Sequence, residues 1–185
     1  MLICYKPNEG DFEMNIINML LAQPKEGILN TISIESLLGK SVAKDLIKKE
    51  NAVCKAVGSD VFEHFESINS QYHTAINEKM YKLGVQYGYK VFMQHLVIGQ
   101  AINIPGDDEL ADTYYNSKEA TAPVEYEDEL ETAIKDIKDK CGYDLCNEYD
   151  SLNNTYHLED GRVHYIQGVK DAISLLTEMS GKCEQ

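Results

Sequence analysis

The chain has 185 residues, of which 43% are apolar, and this composition suits a globular protein with one sizeable core or two small ones. Its 31 acidic and 17 basic residues give a formal net charge of −14, which disfavours direct binding to nucleic acid or to an anionic membrane. No apolar run approaches the roughly 18 residues of a membrane span, and the first residues lack the basic-then-apolar order of a secretory signal. We therefore expect a cytoplasmic protein.

The five cysteines form no C-x-x-C pair, and their number is odd. Both facts argue against a disulfide framework and a structural zinc site. No phosphate-binding loop, nucleophile elbow, zinc-protease motif or calcium loop occurs either, so we expect no cofactor, no metal and no catalytic residue.

Residues 1–40 form an N-terminal extension outside the repeat described next. The segment "DFEMNIINMLLAQP" predicts a short helix that ends before Pro24. The segments "MLICYK" and "ILNTISI" are either two short strands or irregular.

The chain repeats itself with an offset of 84 residues. Aligning 58–88 with 142–172 gives nine identities in 31 positions, where chance gives about two. The identical pairs are Gly58/Gly142, Asp60/Asp144, Ser67/Ser151, Asn69/Asn153, Tyr72/Tyr156, His73/His157, Tyr81/Tyr165, Gly84/Gly168 and Val85/Val169. We interpret this pattern as an internal duplication, with helical repeats at 41–100 and 125–185.

The apolar positions kept in both copies predict three helices in each repeat, and so a mainly α protein. In the first helix they are Val42, Leu46, Val53 and Val57, matched by Tyr126, Leu130, Ile137 and Cys141. Gly58 and Gly142 suit a left-handed turn, and Asp60 and Asp144 suit the N-cap of the second helix.

We expect the second helix to end soon after Tyr72 or Tyr156, because Ser and Asn are poor helix formers, and Gly161 supports a break there. The third helix carries Gly84 and Gly168, where another helix backbone could approach closely.

An acidic connector is predicted at 101–124, where Pro, Gly and polar residues are frequent. Residues 100–131 contain ten acids and one base, so this stretch carries −9 of the total −14. The acidic band comprises Asp107, Asp108, Glu109, Asp112, Glu125, Glu127, Asp128, Glu129 and Glu131. Such a run is either a solvated face that suits a helix N-terminus, or a surface that docks onto a basic partner.

Two other candidate sites follow from the comparison of the copies. The stripe Met80, Leu83 and Tyr87 is apolar in copy one and polar in copy two, which is consistent with cover by the N-terminal segment or by a second subunit. The repeated Asn-x-x-Tyr-His motif is a candidate duplicated site that could converge across a pseudo-twofold axis. Alternatively, its Tyr fills the core while Asn and His form hydrogen bonds at a helix end. The motif comprises Asn69, Tyr72, His73, Asn153, Tyr156 and His157.

The segment "YKLGVQYG" at 81–88, preceded by "NEK", resembles the F-x-x-G-F-x-L-G signature of a family of short helical proteins of unknown function from Firmicutes and their mobile elements. The resemblance covers about 30 residues of copy one, and copy two keeps only Tyr165, Gly168 and Val169 of it. It implies a helical fold and a mobile-element or phage context in a bacterial host cytoplasm, with no catalytic residues. A compact acidic helical protein in that context is similar in character to anti-CRISPR inhibitors.

Three functional hypotheses follow. The leading one is a non-enzymatic interaction protein that binds and inhibits a basic nucleic-acid-handling protein, such as a Cas nuclease, through the acidic band. The second is a helical homo-oligomer or adaptor, for example a homodimer, that uses Met80, Leu83 and Tyr87. The third is an enzyme or ligand-binding protein that uses the repeated Asn, Tyr and His positions.

Overall fold

The computed structural model describes residues 33–98, 105–118 and 126–182. The regular secondary structure of these residues is entirely helical, which confirms the predicted mainly α class. The helices are α1 (Ile34–Leu38), α2 (Lys40–Val57), α3 (Ser59–Ile98), α4 (Asp107–Lys118), α5 (Glu127–Cys141) and α6 (Tyr143–Lys182).

Single glycines in the left-handed region separate α2 from α3 and α5 from α6. Gly58 has φ of 91° and Gly142 has φ of 88°, a backbone conformation that other residues adopt only with strain. The prediction of left-handed turns at these two glycines is confirmed. Asp60 and Asp144 lie within the first turns of α3 and α6 rather than at N-caps, since each helix begins one residue earlier. Their carboxylates still favour the positive end of the helix dipole.

The prediction of three helices per repeat is wrong, because the second and third predicted helices are one continuous helix in each copy. Both α3 and α6 contain 40 residues and continue through Tyr72, Tyr156 and Gly161. The polar residues that suggested a break have partners within or beside the helix: Gln71 donates to the carbonyl of Ser67, and Asn69 contacts His157. Tertiary packing therefore outweighs low helix propensity here.

The ends of the two long helices differ by the offset seen in the sequence. Helix α3 begins at 59 and ends at 98, whereas α6 begins at 143 and ends at 182, a difference of 84 at both ends. The duplication itself stays a prediction. Helix α4 lies inside the segment that was predicted as an acidic connector, so residues 107–118 of that segment are helical, and the connector itself stays a prediction. The predicted N-terminal helix and strands lie outside the described residues, apart from Ser33 and Ile34, which belong to the N-cap and start of α1.

The described residues form two compact units, and each unit contains parts of α3 and α6. We call residues 33–79 and 126–163 the histidine unit. We call residues 80–98, 105–118 and 164–182 the glycine unit. Each unit therefore combines residues of both predicted repeats, which differs from the predicted boundaries at 41–100 and 125–185.

The histidine unit has an apolar core built from α2, α3, α5 and α6. The predicted stripes supply its centre, since Leu46, Val53, Leu130 and Ile137 are all buried. Helices α2 and α5 contact each other, and Lys49 of α2 forms an ion pair with Glu148 of α6.

The glycine unit packs the second half of α3 directly against the second half of α6. A Cβ atom built on Gly84 would collide with the backbone carbonyl of Tyr165, and one built on Gly168 would collide with that of Tyr81. The predicted close approach at these glycines is confirmed. Helix α4 contributes the buried Leu110 and Tyr114 to this unit, and Tyr114 contacts the ring of Tyr165 at a centroid distance of 5.8 Å.

Candidate ligand-binding site

Parallel α3 and α6 bring the two copies of the repeated motif together in the histidine unit. His73 and His157 stack ring on ring, with centroids 3.3 Å apart and planes within 5°. Their numbers differ by 84, as do those of Phe65 and Tyr149, whose rings meet edge to face at 6.1 Å. Equivalent positions of the two copies therefore face each other along this part of the helix pair.

A polar cavity of about 390 Å³ surrounds the histidine pair. Its polar lining includes His73, His157, three carboxyl side chains (Glu50, Glu66 and Asp160) and three amides (Asn69, Asn77 and Asn153). Ser70 and Thr74 also line it and are exposed, so the cavity opens to solvent on their side. Its volume lies in the range of small-molecule sites.

The two asparagines of the repeated motif differ in their hydrogen bonding. The amide nitrogen of Asn69 lies 3.4 Å from Nε2 of His157, to which it donates. Asn153 is the equivalent residue of copy two, lines the cavity and is only 7% exposed. Its side chain forms no hydrogen bond with any residue in the described ranges, and solvent reaches its amide atoms through the cavity. Asn153 therefore offers an unused donor and acceptor to whatever occupies the cavity.

One end of the cavity holds two carboxyl groups. The hydroxyl of Tyr149 donates to Oε1 of Glu66 at 2.7 Å. Burial raises the pKa of Glu66, and the hydrogen bond from Tyr149 opposes that shift. Burial, followed by repulsion from Glu66, also raises the pKa of Glu50. Burial and the nearby Glu66 raise the pKa of Tyr149, so its hydroxyl stays protonated and able to donate.

The other carboxyl group lies further along the helix pair. The amide nitrogen of Asn77 donates to Oδ2 of Asp160 at 2.6 Å. Asn77 and Asp160 come from α3 and α6, so this hydrogen bond joins the two helices beyond the histidine pair.

Both stacked histidines are neutral near pH 7. Burial lowers the pKa of His73 to about 4, and burial together with the neighbouring His73 lowers the pKa of His157 to about 3. With Nε2 of His157 accepting from Asn69, Nδ1 carries the ring proton and is buried without a partner in the described part of the chain. A neutral His73 likewise has one acceptor nitrogen.

The repeated tyrosines lie beside their histidines. The ring of Tyr72 contacts that of His73 at 5.0 Å, and the ring of Tyr156 contacts that of His157 at 4.8 Å. Both tyrosines are half-buried and pack against the apolar core, as one interpretation of the motif predicted. The motif lies in mid-helix, however, and not at a helix end.

The predicted acidic band is distributed over both units. Asp108, Glu109 and Asp112 are exposed on α4 in the glycine unit, and the side chain of Asp107 lies outside the described residues, as does Glu125. Glu127, Asp128, Glu129 and Glu131 are exposed at the start of α5 in the histidine unit. These four carboxylates form no ion pair with residues in the part of the chain that the structure describes.

The predicted oligomer stripe is partly covered within the chain. Met80 is only 1% exposed, while Leu83 and Tyr87 are half-buried. The ring of Tyr87 lies 6.4 Å from that of Tyr165. The homo-oligomer hypothesis is left with Leu83 and Tyr87 as its accessible residues, and it stays a prediction.

Sequence reasoning missed Glu50, Glu66, Asn77 and Asp160. A comparison of the two copies detects only residues that both copies share. Three of these four residues align with an apolar residue or a glycine in the other copy: Glu50 with Ile134, Asn77 with Gly161 and Asp160 with Ile76. The sequence feature that could have indicated the acidic residues is their position within otherwise apolar helix faces.

Within the described ranges, no group of three or more His, Cys, Asp or Glu side chains is arranged to hold a metal ion. None of the helices in those ranges is long and apolar enough to span a membrane. No protein-family model, curated protein or solved structure matches the chain. The resemblance to the short helical Firmicutes family stays a prediction.

Proposed function

We propose that the protein binds a small polar molecule in the cavity of the histidine unit, and that binding rather than catalysis is its role. One observation carries the proposal. The side chain of Asn153 is 93% buried (7% exposed), lines the cavity and has no hydrogen-bond partner among the described residues, whereas its equivalent Asn69 has one. The amide atoms of Asn153 are not among the fully buried, unpaired side-chain atoms of the described residues, so solvent reaches them through the cavity and a ligand there would replace that solvent.

The electrostatics of the histidines favour binding over acid–base catalysis. A general acid or base works best with a pKa near the working pH, whereas the pKa values of His73 and His157 are about 4 and 3. Neutral imidazoles at pH 7 serve better as hydrogen-bonding and stacking groups. The function proposed for the pair is therefore recognition.

The test is a thermal-shift and NMR screen with matched variants. The panel consists of alkylamines, amino acids, nucleosides, sugars and dicarboxylic acids. We expect at least one class to raise the melting temperature and to shift the imidazole signals of His73 and His157. Asn153→Leu should abolish both responses without lowering stability, since Leu has a similar volume and needs no hydrogen bond. Asn154→Leu, the same change at the exposed neighbour, should keep them.

Two results would contradict the proposal: a panel in which no class perturbs the imidazole signals, or an Asn153→Leu variant that responds like Asn154→Leu. A large loss of stability in Asn153→Leu would instead assign Asn153 a structural role.

A second candidate function rests on the exposed acids of α5. We propose that Glu127, Asp128, Glu129 and Glu131 dock onto a basic protein, such as a nucleic-acid-handling effector of the Cas nuclease type. Their exposure and lack of ion pairs with described residues support this, because unpaired charges remain available for electrostatic steering.

Reversing these four charges to lysine should weaken capture of a basic partner strongly and in a salt-dependent way. The matched control reverses Glu35, Glu63, Asp139 and Asp144, four other exposed acids. Equal losses in both variants would attribute capture to net charge alone and would remove the α5 acids as a specific surface.

A further inference from the structure

We propose that the ligand of the histidine unit is a linear polyamine, a flexible chain with ammonium groups at both ends and within it. This inference rests on the proposed function and specifies its ligand class. Three carboxyl side chains line the cavity, Glu50, Glu66 and Asp160, and no lysine or arginine is among the described residues that line it. A cationic ligand compensates these charges, whereas an anionic one would be repelled.

The spacing of the carboxyl groups favours an elongated ligand. Glu66 and Glu50 lie at one end, and Asp160 is held by Asn77 at the other. Glu66 and Asn77 are 11 residues apart on α3, which corresponds to roughly 16 Å along the helix axis. A compact cation cannot reach both ends at once, but an extended polyamine can.

The middle of the cavity has groups that suit internal ammonium groups. Asn153 lies four residues after Tyr149 and four before His157 on α6, between the two acidic ends. Its side-chain oxygen is an unused acceptor, and the neutral His73 ring offers an acceptor nitrogen. A secondary ammonium donates two hydrogen bonds, so it can use both.

The carboxyl group of Glu66 is held in place but keeps unused acceptor positions. It accepts from Tyr149, yet an ionised carboxylate has about four acceptor positions. Asp160 is held by the hydrogen bond from Asn77. Glu50 accepts no hydrogen bond from residues that the structure describes. Burial, and after it repulsion from Glu66, raises the pKa of Glu50, and a bound ammonium group would relieve the repulsion.

The test is isothermal titration calorimetry of the full chain with spermine, spermidine and putrescine, and with tetraethylene glycol as an uncharged chain of similar length to spermine. We expect one bound spermine per chain and decreasing affinity from spermine through spermidine to putrescine, which is too short to reach both acidic ends. Glu50→Gln and Asp160→Asn should each weaken spermine binding about tenfold, as expected for loss of one charge-assisted contact.

A control is needed because a chain of net charge −14 attracts any polycation. Glu131→Gln removes one exposed charge on α5, outside the cavity, and should leave spermine affinity unchanged. Equal weakening in Glu131→Gln, several spermine molecules per chain, or equal affinity for tetraethylene glycol would each overturn the polyamine assignment.

The imidazole NMR signals separate this inference from the proposed function. If an uncharged or anionic compound of the panel shifts the His73 and His157 signals while spermine does not, the polyamine assignment fails and the binding function stands. If neither spermine nor any compound of the panel shifts them, both are contradicted.

Discussion

Helices α3 and α6 are separated by side chains and a cavity along one stretch, and their backbones are in contact along another. In the histidine unit, large polar side chains of α3 and α6 face each other and a cavity of about 390 Å³ remains around them. In the glycine unit, Gly84, Gly88 and Gly168 let the backbones of the same two helices come into contact. Side-chain size along one stripe thus decides whether parallel helices enclose a cavity or close it.

Equivalent residues of the two copies also differ in their hydrogen-bond partners. In the glycine unit the hydroxyl of Tyr81 donates to Asp171 at 2.9 Å, while the buried hydroxyl of its equivalent, Tyr165, has no partner among the residues that the structure describes. The position equivalent to Asp171 in copy one is Tyr87, which cannot act as a carboxylate. In the histidine unit the same asymmetry separates Asn69 from Asn153. The copies keep their apolar contacts but differ in their hydrogen bonds.

The largest expected effect is a pH dependence that arises from the histidine unit. An unfolded histidine has a pKa of about 6.5, whereas His73 and His157 have values of about 4 and 3. Below pH 6.5 and above the folded pKa values, the unfolded chain binds more protons at these two histidines than the folded chain does. The contribution of the histidines to stability is therefore complete above pH 6.5 and is lost as the pH falls. Each histidine contributes at most about 1.4 kcal/mol per pH unit.

This effect is measured by urea unfolding between pH 7 and pH 5. The wild type should lose about 4 kcal/mol more than the variant His73→Gln/His157→Gln. The variant is needed because the raised pKa values of Glu50 and Glu66 act in the opposite direction. His64→Gln, which removes an exposed imidazole from α3, should behave like the wild type. The same pH slope in wild type and double variant would show that the pair is not buried.

The next effect concerns the close approach in the glycine unit. Gly84→Ala places a methyl group against the backbone carbonyl of Tyr165, which cannot yield as a flexible side chain can. We expect a loss of about 2 kcal/mol from overpacking, despite the better helix propensity of Ala. Gly106→Ala is the control, because no residue that the structure describes lies within 4 Å of the added methyl group. Equal stabilities of the two variants by urea unfolding would contradict the close contact.

The smallest effects come from the tyrosine pair. Tyr81→Phe removes a hydrogen bond to a carboxylate and should cost about 1.5 kcal/mol. Tyr165→Phe removes a buried hydroxyl that forms no hydrogen bond with any described residue, and it should leave stability unchanged or raise it. Thermal unfolding of both variants measures the two changes in stability. A larger loss of stability for Tyr165→Phe than for Tyr81→Phe would contradict the hydrogen bonds assigned to these two tyrosines.

The sequence predicted those features that depend on local chemistry or on shared positions. The turn at Gly58 needs a left-handed residue, and the stripe through Leu46 and Val53 follows helical spacing, so both were visible. The repeated Asn69 and His73 were visible as a candidate site, and their convergence with His157 was one stated alternative.

Other features depend on contacts distant in sequence. The continuity of α3 through Ser70 and Gln71 relies on tertiary packing, which overrides the propensities that predicted a break. Asp160 and Glu50 reach the cavity only through the pairing of α3 with α6 and of α2 with both, and neither has an acidic equivalent in the other copy. No pattern within a single segment indicates such a contact.

The most direct test of the ligand site is the imidazole NMR spectrum of the wild type and of Asn153→Leu during titration with spermine. The cavity account predicts saturable shifts of the His73 and His157 signals in the wild type, and none in Asn153→Leu. Identical shifts in both proteins would contradict the cavity account. No shift in either protein would contradict the polyamine assignment, and the binding function would fail as well if no compound of the panel shifts these signals.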